Sequence, residues 1–188
     1  MDIVETARLS AINYILGSIG EAPVNSLDDT TNIDAVNAQR ILDEVDKEVQ
    51  QQGWTFNSYD AFKFLPDSFS KKIKWNNNIL SMRTPTYIKR GKYFYDKERQ
   101  SDSFDSPIEV KVIMKEEFGD LPDVFQRYIT AKAAREFQIA YLGVPELVQM
   151  ALQKEQEAWQ AIVQYDLDTG GYNMLENTAI STNLQRSL

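Results

Sequence analysis

The chain has 188 residues, of which 43% are hydrophobic and 26% charged, as is typical of a globular protein with one domain or with one domain and a small additional lobe. It contains no cysteine and no histidine, which excludes disulfides and removes the commonest general base and metal ligand in proteins. Its formal net charge of −8 argues against tight binding to nucleic acid, because such binding depends on Lys and Arg neutralising phosphates. The longest apolar runs are too short for a membrane span, and the acidic N-terminus does not resemble a signal peptide.

Residues 1–53 have the periodicity of two helices. The first apolar stripe ends near Gly17 and Gly20, and Thr31 with Asp34 fits a capping box for a second helix that stops at Gly53. Each helix carries one narrow apolar face, which predicts an antiparallel pair. The residues of these two faces are Val4, Ala7, Ala11, Ile12, Ile15 and Ile19 in the first helix and Ala35, Ala38, Leu42, Val45 and Val49 in the second.

Residues 54–119 are rich in aromatic and β-branched residues and are interrupted by prolines and asparagines. The segment 87–95 reads as a hairpin with Gly91 at its turn, and Ile108 to Met114 alternate between apolar and polar side chains. We therefore predict a small antiparallel sheet, forming a β-rich lobe inserted into the helical part of the chain.

Residues 120–168 are helical again. One helix runs from Pro122 to Gly143, and the next begins at Pro145. This last helix has two apolar stripes, one of which contains Trp159, and together they cover more than half of its circumference. Such a helix is either buried on both sides or packs against a second molecule, so Trp159 is a candidate interface residue.

Residues 169–188 form a polar segment that has too little apolar surface to fold by itself. Tyr172, Met174 and Leu175 nevertheless make a compact apolar cluster within it. We interpret the segment as an extended C-terminal arm that orders against another surface, with these three residues as its contacts. The predicted fold class is thus α+β: a bundle of about four helices (1–53 and 120–168), an inserted antiparallel β lobe (54–119) and the arm.

Motifs that would indicate an enzyme or a cofactor site are not found. There is no Gly-rich phosphate loop, no nucleophile elbow and no metalloprotease helix, and the adjacent acidic pairs Asp28–Asp29 and Glu116–Glu117 are interpreted as solvated surface charges. We therefore expect no catalytic, cofactor-binding or metal-ligating residues. The basic stretch 71–75 is the one candidate nucleic-acid element, although lysines that protect an exposed strand edge explain it equally well.

Ten short segments, taken in their order along the chain, resemble the family of tail tubular protein A, the head-to-tail adaptor of short-tailed bacteriophages (podoviruses). The resemblance covers nearly the whole chain, and its most specific element is the final segment. The segments are ETARLSAIN (5–13), IGEAPV (19–24), GWTFN (53–57), LPD (65–67), RG (90–91), YD (95–96), QSDSFDS (100–106), TAKAA (130–134), GVPE (143–146) and GGYNML (170–175).

The resemblance implies a structural virion protein that forms a ring, usually of twelve copies, between the portal protein and the tail nozzle protein. It further implies that tail fibre protein attaches nearby, that genomic DNA passes through the channel without being tightly bound, and that the tail is assembled in the bacterial cytoplasm. Arg90 and Gly91 become candidate contact residues on this basis, beside Trp159 and the arm.

Two other hypotheses remain open at this stage. Some phage tail proteins degrade cell-wall or capsular glycans, so a tail-associated glycan hydrolase that uses carboxylates is the alternative function. A helical binding module without a role in a virion is the third.

Overall fold

The computed structural model describes residues 3–28 and 31–170 and confirms the α+β class, with four helices and short antiparallel strands. The chain begins with two helices, continues through five strands and a 3₁₀ turn, and ends with two helices. The elements are α1 (Ile3–Gly17), α2 (Ile33–Gln51), β1 (Ser58–Phe64), β2 (Ile79–Met82), β3 (Tyr87–Arg90), β4 (Tyr93–Asp96), β5 (Ile108–Met114), the 3₁₀ turn (Phe118–Asp120), α3 (Asp123–Tyr141) and α4 (Pro145–Gly170).

The helix ends follow the sequence signals, with one correction. The N-cap of α2 is Asn32, whose Oδ1 accepts the backbone N–H of Ala35 at 3.0 Å, so the capping box predicted at Thr31 is wrong. An Asn one residue later satisfies the same free N–H groups of the first turn. The chain leaves α2 through Gly53 at φ +83°, a left-handed conformation that favours glycine.

The four helices share one hydrophobic core. From α1 and α2 it includes the predicted Ala11, Ile12, Ile15, Ala35, Ala38, Leu42, Val45 and Val49, together with Leu16 and Ile41, which were not predicted; α4 contributes Ile162. An ion pair between Arg8 and Asp43 at 2.5 Å joins α1 to α2 at the edge of this core. The largest fully buried apolar side chains in the core are Ile12, Ile15, Leu16, Leu42, Phe125, Ile129, Phe137 and Ile162.

The strands form two sheets rather than the single one predicted. One sheet has the order β1-β5-β2, all antiparallel, and the other is the hairpin β3-β4. A bulge between Tyr59 and Phe62 in β1 shifts the register of the first sheet. The lobe has a second hydrophobic core, centred on the fully buried Phe94.

Among the described residues, helix α4 is covered on one side only. Ile162 is its one fully buried residue, whereas Leu147 and Met150 are exposed. The described part of the chain therefore does not bury both apolar stripes, and packing against a second molecule stays a prediction. The helix includes residues 169 and 170, which the sequence had assigned to the arm. Within the described residues, no helix has the length and apolarity that crossing a membrane requires.

Candidate interaction surfaces

A buried polar junction holds the β lobe against the helical bundle. Gln50 at the end of α2 is fully buried, and its Nε2 donates to Asp46 Oδ1 at 2.8 Å. Asn57 is also fully buried, and its Nδ2 donates to the carbonyl oxygens of Gln50 at 2.9 Å and Met114 at 3.0 Å. Because these side chains satisfy main-chain groups from both bodies, the junction positions the lobe on the bundle.

Asp46 is the ionisable member of this junction and is almost completely buried. Burial raises the pKa of its carboxyl above the ordinary value, while the hydrogen bond from Gln50 and the ammonium of Lys115, 3.5 Å away, act in the opposite direction. A buried acid with a raised pKa can mark an active site. Here its partners are structural groups, so we assign it to the junction.

Trp159 lies at the boundary between the core and the surface. Its ring is 5.8 Å from that of Trp54 and 5.3 Å from that of Tyr128, and 38% of the residue is exposed. Nearby, Asp166 Oδ1 accepts the backbone N–H of Thr55 at 2.7 Å, which ties the end of α4 to the start of the lobe. Trp159 therefore packs within the monomer and is still partly exposed, so its role as an interface residue stays a prediction.

The outer face of α4 combines exposed apolar side chains with glutamines and acidic residues. Met150 is 62% exposed and Leu167 52% exposed, and Leu147 lies on the same helix at 38%. The exposed glutamines of the helix are Gln149, Gln153, Gln156, Gln160 and Gln164. Glu157 and Asp168 also lie on this face and accept hydrogen bonds from Gln153 and Gln164. Exposed methionine and leucine among polar side chains are typical of a surface that a partner covers.

A groove of about 350 Å³ runs between α1, α3 and the first half of α4. Tyr14 and Lys154 line it, together with small residues such as Ala131 and Ala151. Gln138 at its wall is buried, and its Nε2 donates to the carbonyl of Ser18 at 2.8 Å. Its Oε1 is buried and has no hydrogen-bond partner among the described residues.

Arg90 and Gly91 lie at the exposed end of the β3-β4 hairpin, where the sequence predicted them. Gly91 adopts φ +61° in the turn, and the Arg90 guanidinium lies 3.6 Å from the centre of the Tyr95 ring. The stacked guanidinium is held close to the hairpin surface with its edge accessible. The structure thus makes both residues available for contact and does not bring them together with Trp159.

The acidic pair at 116–117 has a structural environment. The main chain of Glu116 bonds to Gln50, and its Oε1 accepts the Tyr59 hydroxyl at 3.3 Å. Glu117 precedes the 3₁₀ turn, and Asp29 lies outside the described residues. The described ranges contain no group of three or more carboxylates that could hold a metal ion.

Tyr172, Met174 and Leu175 lie outside the described residues, so their role stays a prediction. Sequence reasoning also missed the junction built on Gln50 and Asn57. A glutamine on the apolar stripe of α2, one residue after Val49, was the available signal, since a polar residue on a buried face needs partners.

Comparison with known proteins shows the class to which this architecture belongs. The model of the tail tubular protein family matches residues 9–172. Tail tubular protein A of Klebsiella phage KP34 is 30% identical over 140 residues, which cover 72% of this chain and 74% of that protein. The matches define a structural component of a bacteriophage tail. The chain belongs to the tail tubular protein family, and its place is the tail of the virion, where it assembles with other phage proteins.

Proposed function

We propose that the chain is a ring adaptor, of about twelve copies, between the portal protein and the tail nozzle protein of a short-tailed phage. The observation that carries the proposal is the exposed outer face of α4, with Met150 and Leu167 at its surface, in a chain of the tail tubular family. An exposed face of this kind is typical of a surface that a partner covers.

The described surfaces divide naturally between subunit contacts and contacts with other tail proteins. In this proposal the helical bundle (1–53 and 120–168) carries the contacts between copies, which include Trp159 and the rest of α4. The β lobe (54–119) presents Arg90 and Gly91 towards neighbouring tail proteins, including the nozzle and the attachment region of the tail fibre.

The part of the arm that follows α4 (171–188) supplies the remaining contacts, through Tyr172, Met174 and Leu175, to an adjacent copy or to the portal. The groove between α1, α3 and α4 supports this role, because small and apolar side chains such as Ala131, Leu147 and Ala151 line it. Genomic DNA passes through the ring without being tightly bound, and the ring assembles in the bacterial cytoplasm before it becomes part of the virion.

Ring formation can be tested directly. The purified chain is measured by light scattering after size exclusion at micromolar concentration, alone and mixed with the portal protein of the same phage, and the particles are imaged by electron microscopy. A closed ring of about twelve copies, alone or seated on the portal, is the expected result. Monomers in both samples, with no co-elution, would contradict the proposal.

The proposal also states that the protein performs no catalysis. Glu116 contributes to the junction, which supports a structural role for the acidic pair. The alternative, a glycan hydrolase, predicts product release from peptidoglycan or capsular polysaccharide that survives further purification and is lost in Glu116→Gln or Glu117→Gln. We expect no such release from the wild-type chain.

A further inference from the structure

Charge is distributed very unevenly along this acidic chain. Residues 71–99 contain nine Lys and Arg and two Asp and Glu, a net charge of +7, whereas the remaining residues carry −15. The segment includes the stretch 71–75 together with β3, β4 and the turn between them. The net charge of −8 therefore does not describe this end of the β lobe.

The fold gathers these cations at the end of the hairpin. Lys74 forms an antiparallel bridge with Tyr93, and the N–H of Trp75 donates to the carbonyl of Lys92 at 2.9 Å, so residues 73–75 lie beside β4. A cleft of about 280 Å³ results, and Lys74, Trp75, Asn77, Lys89, Gly91 and Lys92 line it. We call Lys74, Lys89, Arg90 and Lys92 the hairpin basic patch.

The four cations of the hairpin basic patch are exposed, and none of them forms a close ion pair with a carboxylate in the described part of the chain. The ion pairs of the structure involve other cations. The neighbouring Asp102 is bound to Lys72 at 2.6 Å and also interacts electrostatically with Arg90. Four cations beside one shared carboxylate are only partly compensated in the free protein, which favours an anionic partner.

The aromatic side chains of this region are already used as supports for cations. Lys89 lies over the Trp75 ring, Arg90 over Tyr95 and Lys72 over Tyr93. Single-stranded nucleic acid is held largely by bases that stack on free aromatic faces. With these faces covered, the patch offers charge without a stacking platform, which favours a partner that presents phosphates and keeps its bases paired.

Lysine predominates in the patch, and a lysine ammonium is a flexible point charge rather than a fork that pairs geometrically with one carboxylate. Flexible lysine ammonium groups can bind the regularly spaced phosphates of a nucleic acid without any preference for base sequence. The acidic remainder of the chain weakens such contacts little, because salt screens charges beyond about 8 Å at physiological ionic strength.

We propose that the hairpin basic patch binds the phosphate backbone of double-stranded DNA, weakly and without sequence preference. The proposal concerns the single chain and does not depend on ring formation. About four phosphate contacts predict a log–log slope of binding against salt of roughly −3 to −4. Binding is then measurable at low salt and largely lost at physiological salt, which is compatible with DNA that moves past the protein.

The test measures fluorescence anisotropy of a labelled duplex from about 50 to 200 mM salt, with the full chain as titrant. Wild type should bind the duplex at the low-salt end and bind a poly(dT) strand of equal length more weakly. Lys89→Gln with Lys92→Gln should lower the affinity at 50 mM about tenfold or more and reduce the slope by roughly two. Lys47→Gln with Lys154→Gln changes the net charge equally on the bundle and should leave binding near wild type.

Three results would overturn the proposal. The first is no duplex binding at 50 mM salt, and the second is equal loss of binding in the two double variants. The third is preference for the single strand, which would indicate base stacking instead of phosphate contact. The wild type could fail to bind DNA and instead bind another tail protein in a salt-sensitive way. If the patch variant loses that interaction and the bundle variant keeps it, the partner is an acidic protein surface and the DNA proposal is wrong.

Discussion

Gln50 on α2 and Glu116 after β5 are joined by two hydrogen bonds: the N–H of Glu116 donates to Gln50 Oε1 at 2.8 Å, and Gln50 Nε2 donates to the Glu116 carbonyl at 3.0 Å. The glutamine side chain thus pairs with main chain 66 residues away, as a neighbouring strand would. The orientation of the lobe depends on this side chain, because it satisfies buried groups on both bodies.

Gln50→Ala should therefore lower the free energy of unfolding by about 2–4 kcal/mol, since it removes a hydrogen bond to the buried carboxyl of Asp46 and two to the part-buried main chain of Glu116. Chemical denaturation of the purified chain measures the loss. Gln51→Ala, at the next and exposed position of the same helix, is the matched control and should change stability by less than about 0.5 kcal/mol. Equal effects of the two substitutions would show that the junction contributes little.

Gly53→Ala should also destabilise the chain, by about 1–3 kcal/mol. Gly53 has φ +83°, and an added Cβ would lie 2.6 Å from Ile113 Cδ1. Ile113→Val removes that atom. In the Ile113→Val background, Gly53→Ala should therefore cost less free energy of unfolding than it does in the wild type. Gly17→Ala, where nothing lies within 4 Å of the added Cβ, is the control and should be close to neutral.

Asp46→Asn should change stability in a way that depends on pH. Burial raises the pKa of Asp46 in the folded protein, so the folded state holds the proton more tightly than the unfolded chain. The contribution of Asp46 is therefore most favourable below the ordinary value of 3.8 and is lost as pH rises through the raised pKa. Asparagine does not titrate, so the free energy of unfolding of the variant should rise relative to that of the wild type between pH 3.5 and pH 7.

Unfolding curves of both proteins across this range measure the difference in unfolding free energy. Asp105→Asn, at an exposed loop position, is the control and should not reproduce the trend. A difference between Asp46→Asn and wild type that stays constant with pH, or that moves against the variant, would mean that the Lys115 ammonium outweighs burial at this site.

Met150→Glu should weaken assembly without weakening the monomer. Met150 is 62% exposed on the outer face of α4, so a carboxylate there stays hydrated in the free chain but loses water when a partner covers it. Light scattering measures assembly, and the thermal midpoint measures the fold. Gln153→Glu adds the same charge one turn along the helix and reports whether the effect is local. If Met150→Glu still forms intact rings, the outer face of α4 is not part of the subunit interface.

Removal of residues 171–188 should leave the thermal midpoint of the monomer nearly unchanged and weaken ring formation or portal attachment. Ordering a backbone residue costs roughly 1–2 kcal/mol, so the arm must gain contacts to become ordered, and Tyr172, Met174 and Leu175 are the side chains able to supply them. Tyr172→Ala with Leu175→Ala should act similarly. A truncated monomer that melts many degrees lower would show that the arm packs on its own body.

Local sequence was sufficient for the helices, the hairpin and the α+β class. Helical periodicity and caps are determined by residues three or four positions apart, and the turn at Gly91 by its own backbone freedom. Asn32 rather than Thr31 is the N-cap of α2. Both side chains can accept a hydrogen bond from the first turn of the helix, and the sequence pattern alone does not show which of two adjacent residues does so.

What the sequence could not determine were relationships between distant segments. The split into two sheets, the pairing of Gln50 with Glu116 and the exposure of α4 depend on which faces meet, and that is decided by packing of the whole chain. For charge, the sequence shows that residues 71–99 carry a net charge of +7, but it does not show where these cations lie in space. The bridge between Lys74 and Tyr93 brings Lys74 beside the cations of the hairpin. Because electrostatic interaction falls with distance and is screened by salt, the local arrangement, which only the tertiary structure sets, decides what this surface attracts.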